Sequence, residues 1–387
     1  MVRRVQLFIA RLFFVAVAVS AVEARADSMD PALGRLVLDN RCQATSNGVG
    51  TFSNPAAGFN RCQPNHAAFA KLVSQLGTAI APLASHPART TGYGGYRFGL
   101  QMAYTTIDNS ADYWRRGTQG GTDESQGLSS TINGSPDSVL QLYSLNLAKG
   151  FPFGLELGAG FGYLANTEII SGGGDVRLAL FEGFRGKIPR FIPDVGVGGG
   201  VRTITGTSEL KLTVASFDAQ ISKPIPILGT VTLHPHVGYQ WIRIFGDSGT
   251  VDLTPNNDSV TKCGYSGENT PATPDPNKDG FDGQPNCLNS SADFNNNIVF
   301  NPIRLTRHRI NFGTQLRYQF LQFGIHLVTD VIDPVDANND QSSAIDPEDP
   351  SGQTRFELNR LADDPRTEGD DAVTRQWTVA VEIGAAV

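Results

Sequence analysis

The sequence predicts an all-β protein: one antiparallel transmembrane β-barrel of about 10 (10–14) strands, preceded by a short helical segment. The first observation behind this is strict alternation. Phe153, Leu155, Leu157, Ala159, Phe161 and Tyr163 are apolar, and Gly154, Glu156, Gly158, Gly160 and Gly162 stand between them. Side chains of a strand point to opposite faces in turn, so this segment is a strand with one apolar face. It is long enough to cross a bilayer at a tilt, which takes about 9–11 residues. The second observation is that the pattern recurs along the chain. The third is that the connections between repeats alternate between short and long, as the turns and loops of membrane barrels do.

The elements follow in order. Residues 1–26 read as a secretion signal. Arg3 and Arg4 are followed by an apolar stretch from Leu7 to Val19, interrupted by Arg11, and then by the A-x-A site Ala24-Arg25-Ala26, which places the mature start at Asp27. Residues 27–92 do not alternate. Phe69, Leu72, Val73, Leu76, Ile80 and Leu83 recur with helical spacing and predict an amphipathic helix. Such a stripe needs a partner surface, and a plug inside the barrel or a periplasmic cap on its mouth would each supply one.

Residues 93–387 form the wall. Tyr96, Phe98, Leu100, Met102 and Tyr104 face one way, with Arg97, Gly99, Gln101, Ala103 and Thr105 opposite. Further strands are expected over 138–147, 153–166, 175–184, 193–204, 208–222, 230–245, 306–318, 322–330 and 374–386. Short connections near 149–152, 185–192, 223–229 and 320–321 fall on one side. The long polar loops 108–137, 246–305 and 332–373 fall on the other, which predicts a periplasmic and an external end. No run of about 18 apolar residues follows the signal, so no membrane-spanning helix is expected. The mean hydropathy of -0.18 fits a barrel, whose lumen side is free to be polar.

The signal segment, the alternating strands and the last strand from Trp377 to Val387 resemble those of Gram-negative outer-membrane β-barrel proteins. The resemblance covers roughly residues 93–387, and the chain ends in Val387 where such proteins typically end in Phe. Asn54-Pro55-Ala56 is similar to a tripeptide of the fatty-acid and hydrocarbon transporter barrels, which also carry an N-terminal hatch. These resemblances imply outer-membrane lipid around the wall and the barrel-assembly machinery as a partner.

The net charge of -7 leaves no basic footprint for nucleic acid. Four cysteines in an exported chain read as two local disulfides, Cys42–Cys62 and Cys263–Cys287. Asp275, Asn277, Asp279 and Gly280 form D-x-N-x-D-G, the first half of a calcium loop, to which Phe281 could add a carbonyl and Asp282 a carboxylate. The twelfth position is Asn286 rather than Glu, so the competing reading is a solvated acidic turn. Alternation puts Arg97, Gln101, Glu156, Arg177, Lys211, Arg309, Gln315, Arg317 and Glu382 on the lumen face. His234 and His236 share a face as well, as lumen polar groups or, with a further ligand, as a metal pair. On the same logic Glu156→Arg should be tolerated better than Leu157→Arg. Neither G-x-S-x-G nor H-E-x-x-H occurs, so no enzyme is expected. The expected role is passage or binding of a small solute across the outer membrane. The alternative is a structural or adhesin-like surface barrel with a calcium-stabilised external loop.

Overall fold

The computed structural model describes residues 28–36, 64–120, 122–123, 128–129, 133–182, 192–252, 263–265, 285–287, 297–334 and 373–387. Ten long strands form the wall: β1 (Tyr96–Thr106), β2 (Val139–Gly150), β3 (Leu155–Leu164), β4 (Ile170–Phe181), β5 (Asp194–Thr205), β6 (Leu210–Ser222), β7 (Val231–Ser248), β8 (Ile303–Tyr318), β9 (Leu321–Asp330) and β10 (Trp377–Ala386). Each pairs antiparallel with its neighbours in sequence, and β10 returns to β1 with Gln101 opposite Glu382. The barrel is therefore closed, and no wall strand has a free edge. The short segment Ile225–Leu228 adds to the foot of β7. Among the described residues no helix is long and apolar enough to cross a membrane.

The burial pattern follows the alternation. Outside stand Phe98, Leu100, Leu157, Phe161, Val176, Val237, Ile325 and Ile383, all exposed, while Gln101, Glu156, His236, Asn311 and Glu382 are buried within. An outer apolar band around a polar interior is the architecture of a bacterial outer-membrane β-barrel protein. Strands were expected at all ten places, and their ends differ from the expected bounds by up to five residues, so that β7 and β8 extend into the expected loop 246–305. β4 begins at Ile170 rather than 175, because Gly172, Gly173 and Gly174 pair opposite Phe161, Gly160 and Ala159 without side chains that could show a period. Phe153, expected in β3, lies instead in the turn before it at φ 64°, next to Gly154 at φ 76°.

Helix α1 (His66–Ile80) lies inside the barrel, which resolves the choice between plug and cap. Every residue from Ala67 to Ile80 is buried, and the helix touches β1, β2, β6 and β7 across the lumen. Asn65 caps it, its Oδ1 accepting from the Ala68 amide at 2.9 Å. Phe69, Leu72, Val73, Leu76 and Ile80 pack with Leu142, Leu212, Val214, Ile242, Ile244 and Leu305 into an apolar core. Phe69 also stacks on Phe300 at 4.7 Å. A Cβ on Gly77 would stand 2.7 Å from Ile244 and one on Gly246 2.6 Å from Val73, so both glycines permit the close approach of helix and wall. Lys211 is corrected by the same core. Leu210, Leu212 and Val214 are the buried residues of that part of β6, so Lys211 faces outward.

The core fills the half of the lumen nearer the long loops. A second short helix, α2 (Asp112–Gly117), covers it there, and the Trp114 indole donates to Gln75 Oε1 at 2.6 Å. Residues 28–36 lie at the same end: the Met29 amide donates to the Asn166 carbonyl, and the Leu33 amide to Glu209.

Candidate functional site

Below α1 the chain runs through the lumen as a strap, residues 81–91, before turning into β1. A chain without secondary structure carries backbone groups that must be satisfied, and lumen side chains of the wall satisfy several. Gln240 Nε2 donates to the Pro82 carbonyl at 2.8 Å and Gln220 Nε2 to the Ala84 carbonyl at 2.7 Å. Arg177 donates to the Pro87 carbonyl at 3.2 Å. In return, the Ala88 amide donates to Ser222 Oγ, the Thr90 amide to Glu182 and the Thr91 amide to Glu156. The plug is held the same way. Arg307 bonds Asp330, Gln376 Oε1 at 2.7 Å and Ser74 Oγ at 3.1 Å, and Arg309 bonds Gln240 and the Thr78 carbonyl.

Between strap and wall lies a cavity, part of it continuous with solvent. It is lined by both signs of charge. Arg97 pairs with Glu156 at 2.9 Å, and Arg202 with Asp175 through two bonds of 2.7 and 3.0 Å. Arg177 and the buried Asp218 line it as well. A second cavity opens at the short-turn mouth among Arg89, Thr90, Arg97, His234, Gln315, Arg317 and Gln322.

His86 of the strap approaches Glu382 at 3.6 Å. Burial, then the Arg97 and Arg177 guanidiniums and the imidazoles of His326 and His236, hold the His86 pKa well below its ordinary value. It therefore stands neutral in the folded protein at pH 7.

The structure thus brings Arg97, Gln101, Glu156, Arg177, His234, His236, Arg309, Gln315 and Glu382 to the lumen. Gln101 Nε2 donates to Ser85 Oγ of the strap at 2.8 Å. Arg317 is exposed at the short-turn mouth. Sequence reasoning missed Asp175, Arg202, Asp218, Arg307, Asp330 and His326. The period-2 signal was present for His326, since Phe323, Ile325 and Leu327 mark the outer face of β9 and His326 lies between them. The residues 275–282 with Asp275, Asn277, Asp279, Phe281 and Asp282, and likewise Cys42 and Cys62, lie outside the described residues. Cys263–Tyr265 and Pro285–Cys287 pair antiparallel, with Cys263 opposite Cys287. Among the described residues no group of three or more His, Cys, Asp or Glu is gathered around a point that could hold a metal ion.

No protein-family model matches the chain. No curated protein matches it either. Solved barrels do. The chain is similar to Ail, the attachment invasion locus protein of Yersinia pestis, at 8% identity over 76% of this chain and 99% of that one, with a TM-score of 0.22. It is also similar to the outer membrane protein OprG from Pseudomonas aeruginosa, at 10% identity over 77% and 98%, with a TM-score of 0.25. No residue or activity is carried over from either, and the barrel architecture rests on the strand pairing.

Proposed function

We propose that the protein resides in the bacterial outer membrane and binds a small charged solute in its lumen, without catalysis, the strap governing passage. The observation that supports this reading is the charged cavity bounded on one side by a segment of the chain that is not wall. Arg97, Arg177 and Arg202 stand there against Glu156, Asp175 and Asp218, so a zwitterion would meet a partner for each of its charges. The strap is fixed by neutral hydrogen bonds, worth about 0.5–1.5 kcal/mol each, and by bonds to Arg177, Glu182 and Glu156, worth about 1.5–3 kcal/mol each, so several must break for it to move.

A liposome-swelling assay tests the reading. The wild type should admit small zwitterionic solutes slowly. Gln220→Leu with Gln240→Leu, which removes the donors to the Ala84 and Pro82 carbonyls, should admit them faster. Equal and negligible swelling in both would refute passage. It would favour the alternative of a closed surface barrel acting through its long loops. The specific observation on that side is the apolar core, which fills the lumen at the long-loop end with residues such as Phe69, Val73, Val214 and Ile244 that have no exposed surface. In that alternative, loop 246–305 would be stiffened by the Cys263–Cys287 bridge and by calcium. Cα atoms directly opposite on paired strands are about 4.5–5.5 Å apart, within the range a disulfide spans.

A further inference from the structure

One row of residues across the wall is unlike its surroundings. His236 on β7 is opposite Gly313 on β8, and Gly313 is opposite His326 on β9. The two imidazoles reach across the strand between them and meet, His236 Nε2 lying 3.1 Å from His326 Nδ1. Both side chains are buried. They meet only because the residue between them has no side chain. A Cβ on Gly313 would stand 2.8 Å from His236 Nε2 and 2.7 Å from His326 Nδ1.

We infer that this pair chelates one divalent transition-metal ion of the zinc and copper class, a lumen site resting on His236 Nε2 and His326 Nδ1. Imidazole nitrogens bind such ions at about 2.0–2.1 Å. With those bond lengths, nitrogens 3.1 Å apart subtend about 100° at the ion, which suits tetrahedral and tetragonal sites alike. The tautomer is prepared on one side. His236 Nδ1 lies 3.3 Å from the His234 carbonyl and donates to it, which leaves Nε2 with its lone pair. A ligating histidine whose other ring nitrogen donates to a backbone carbonyl is the usual arrangement at metal sites. On the other side, His326 Nε2 is buried without a hydrogen-bond partner. In the metal-free protein His326 Nδ1 donates to His236 Nε2; a bound ion would take that proton's place, the proton moving to His326 Nε2 and the Nδ1 lone pair going to the ion.

Charge compensation is at hand. Glu382 lies on the next strand, opposite Gly324, two residues from His326. Both of its carboxylate oxygens are buried and make no hydrogen bond, the His86 contact at 3.6 Å being too long. A cation on the imidazole pair would give this carboxylate an opposite charge nearby. Two imidazoles leave the remaining coordination positions to water, so the ion would be exchangeable. This inference is independent of the solute reading and would stand if the barrel passes nothing.

The test uses tag-free full-length protein in detergent, titrated with Cu²⁺ and separately with Zn²⁺. At one equivalent, the Cu²⁺ electron paramagnetic resonance spectrum should show superhyperfine splitting from two imidazole nitrogens. His236→Gln and His326→Gln should each weaken Zn²⁺ binding by about tenfold or more and remove the two-nitrogen signature. His308→Gln, on the outer face beside Tyr239, should change neither. Folding of each variant is checked by its faster mobility in unheated gels. A wild-type spectrum without two nitrogens overturns the inference even if both variants misfold, and so does Zn²⁺ affinity unchanged in the folded variants.

Discussion

Leu157 and Glu156 are neighbours in the chain and opposites in environment. Leu157 is 44% exposed, toward what would be lipid, and Glu156 3% exposed, within the lumen. Leu157→Arg should destabilise the barrel by roughly 2–4 kcal/mol near mid-membrane, measured by urea unfolding in lipid vesicles. Alternation alone predicts that Glu156→Arg is tolerated better, and the structure reverses this. Glu156 accepts from Arg97 and from the Thr91 amide, so a guanidinium there would meet like charge and leave the strap amide unpaired. Breaking a buried pair costs roughly 3–5 kcal/mol, so Glu156→Arg should unfold at least as readily as Leu157→Arg. A series in which Glu156→Arg matches the wild type would contradict the Arg97–Glu156–Thr91 connection. Reading faces from the sequence found lumen residues such as Gln101 and Glu156 but missed Arg202 and Asp175, a pair that joins side chains from different strands and that only register brings together.

Helix α1 is the element on which the lumen depends. Its Asn65 cap is local, and Asn65→Ala should cost about 0.5–2 kcal/mol, seen as faster proteolysis of the plug while the wall still migrates as a folded barrel. The strap should respond to pH through His86. The folded state holds its pKa below the unfolded value of 6.5, so the unfolded chain binds more protons as pH falls past that value. Stability from this group is present above pH 6.5 and is lost as the pH falls toward the lowered pKa. Protease protection of residues 81–91 should fall from pH 7 to pH 5, and His86→Gln should flatten the slope. An unchanged slope in His86→Gln would show that it does not arise from His86, whose facing groups are Glu382, Arg97, Arg177, His236 and His326. The wall was legible because lipid on one side and a lumen on the other enforce period 2 over whole strands. The plug's position was not, because a helical stripe such as Phe69, Leu72, Val73 and Leu76 records that a partner exists and not which one. Gly172, Gly173 and Gly174 hid the start of β4, since a residue without a side chain has no face to show.

At the scale of the whole molecule, the wall closes on itself through β1 and β10 and does not depend on the long loops. The part of loop 246–305 that carries Asp275 and Asp279 can therefore be altered without unfolding the barrel. External calcium loops work at dissociation constants of about 10⁻⁴ to 10⁻³ M, so millimolar calcium should slow cleavage within residues 264–286. Asp275→Ala with Asp279→Ala should abolish the effect while gel mobility stays that of a folded barrel. Calcium without influence on the wild-type cleavage rate would leave the motif a solvated acidic turn. The threaded strap has a consequence for sidedness. Ten strands return a chain to the face from which it started, and the strap adds an eleventh traverse. Met29 is bound beside Asn166 at the long-loop mouth, whereas Val387 exchanges backbone hydrogen bonds with Tyr96 at the other. The parity of crossings is thus odd. An epitope placed just before Ser28 would be displayed to antibodies on intact cells, while one joined to Val387 would stay hidden until the envelope was opened.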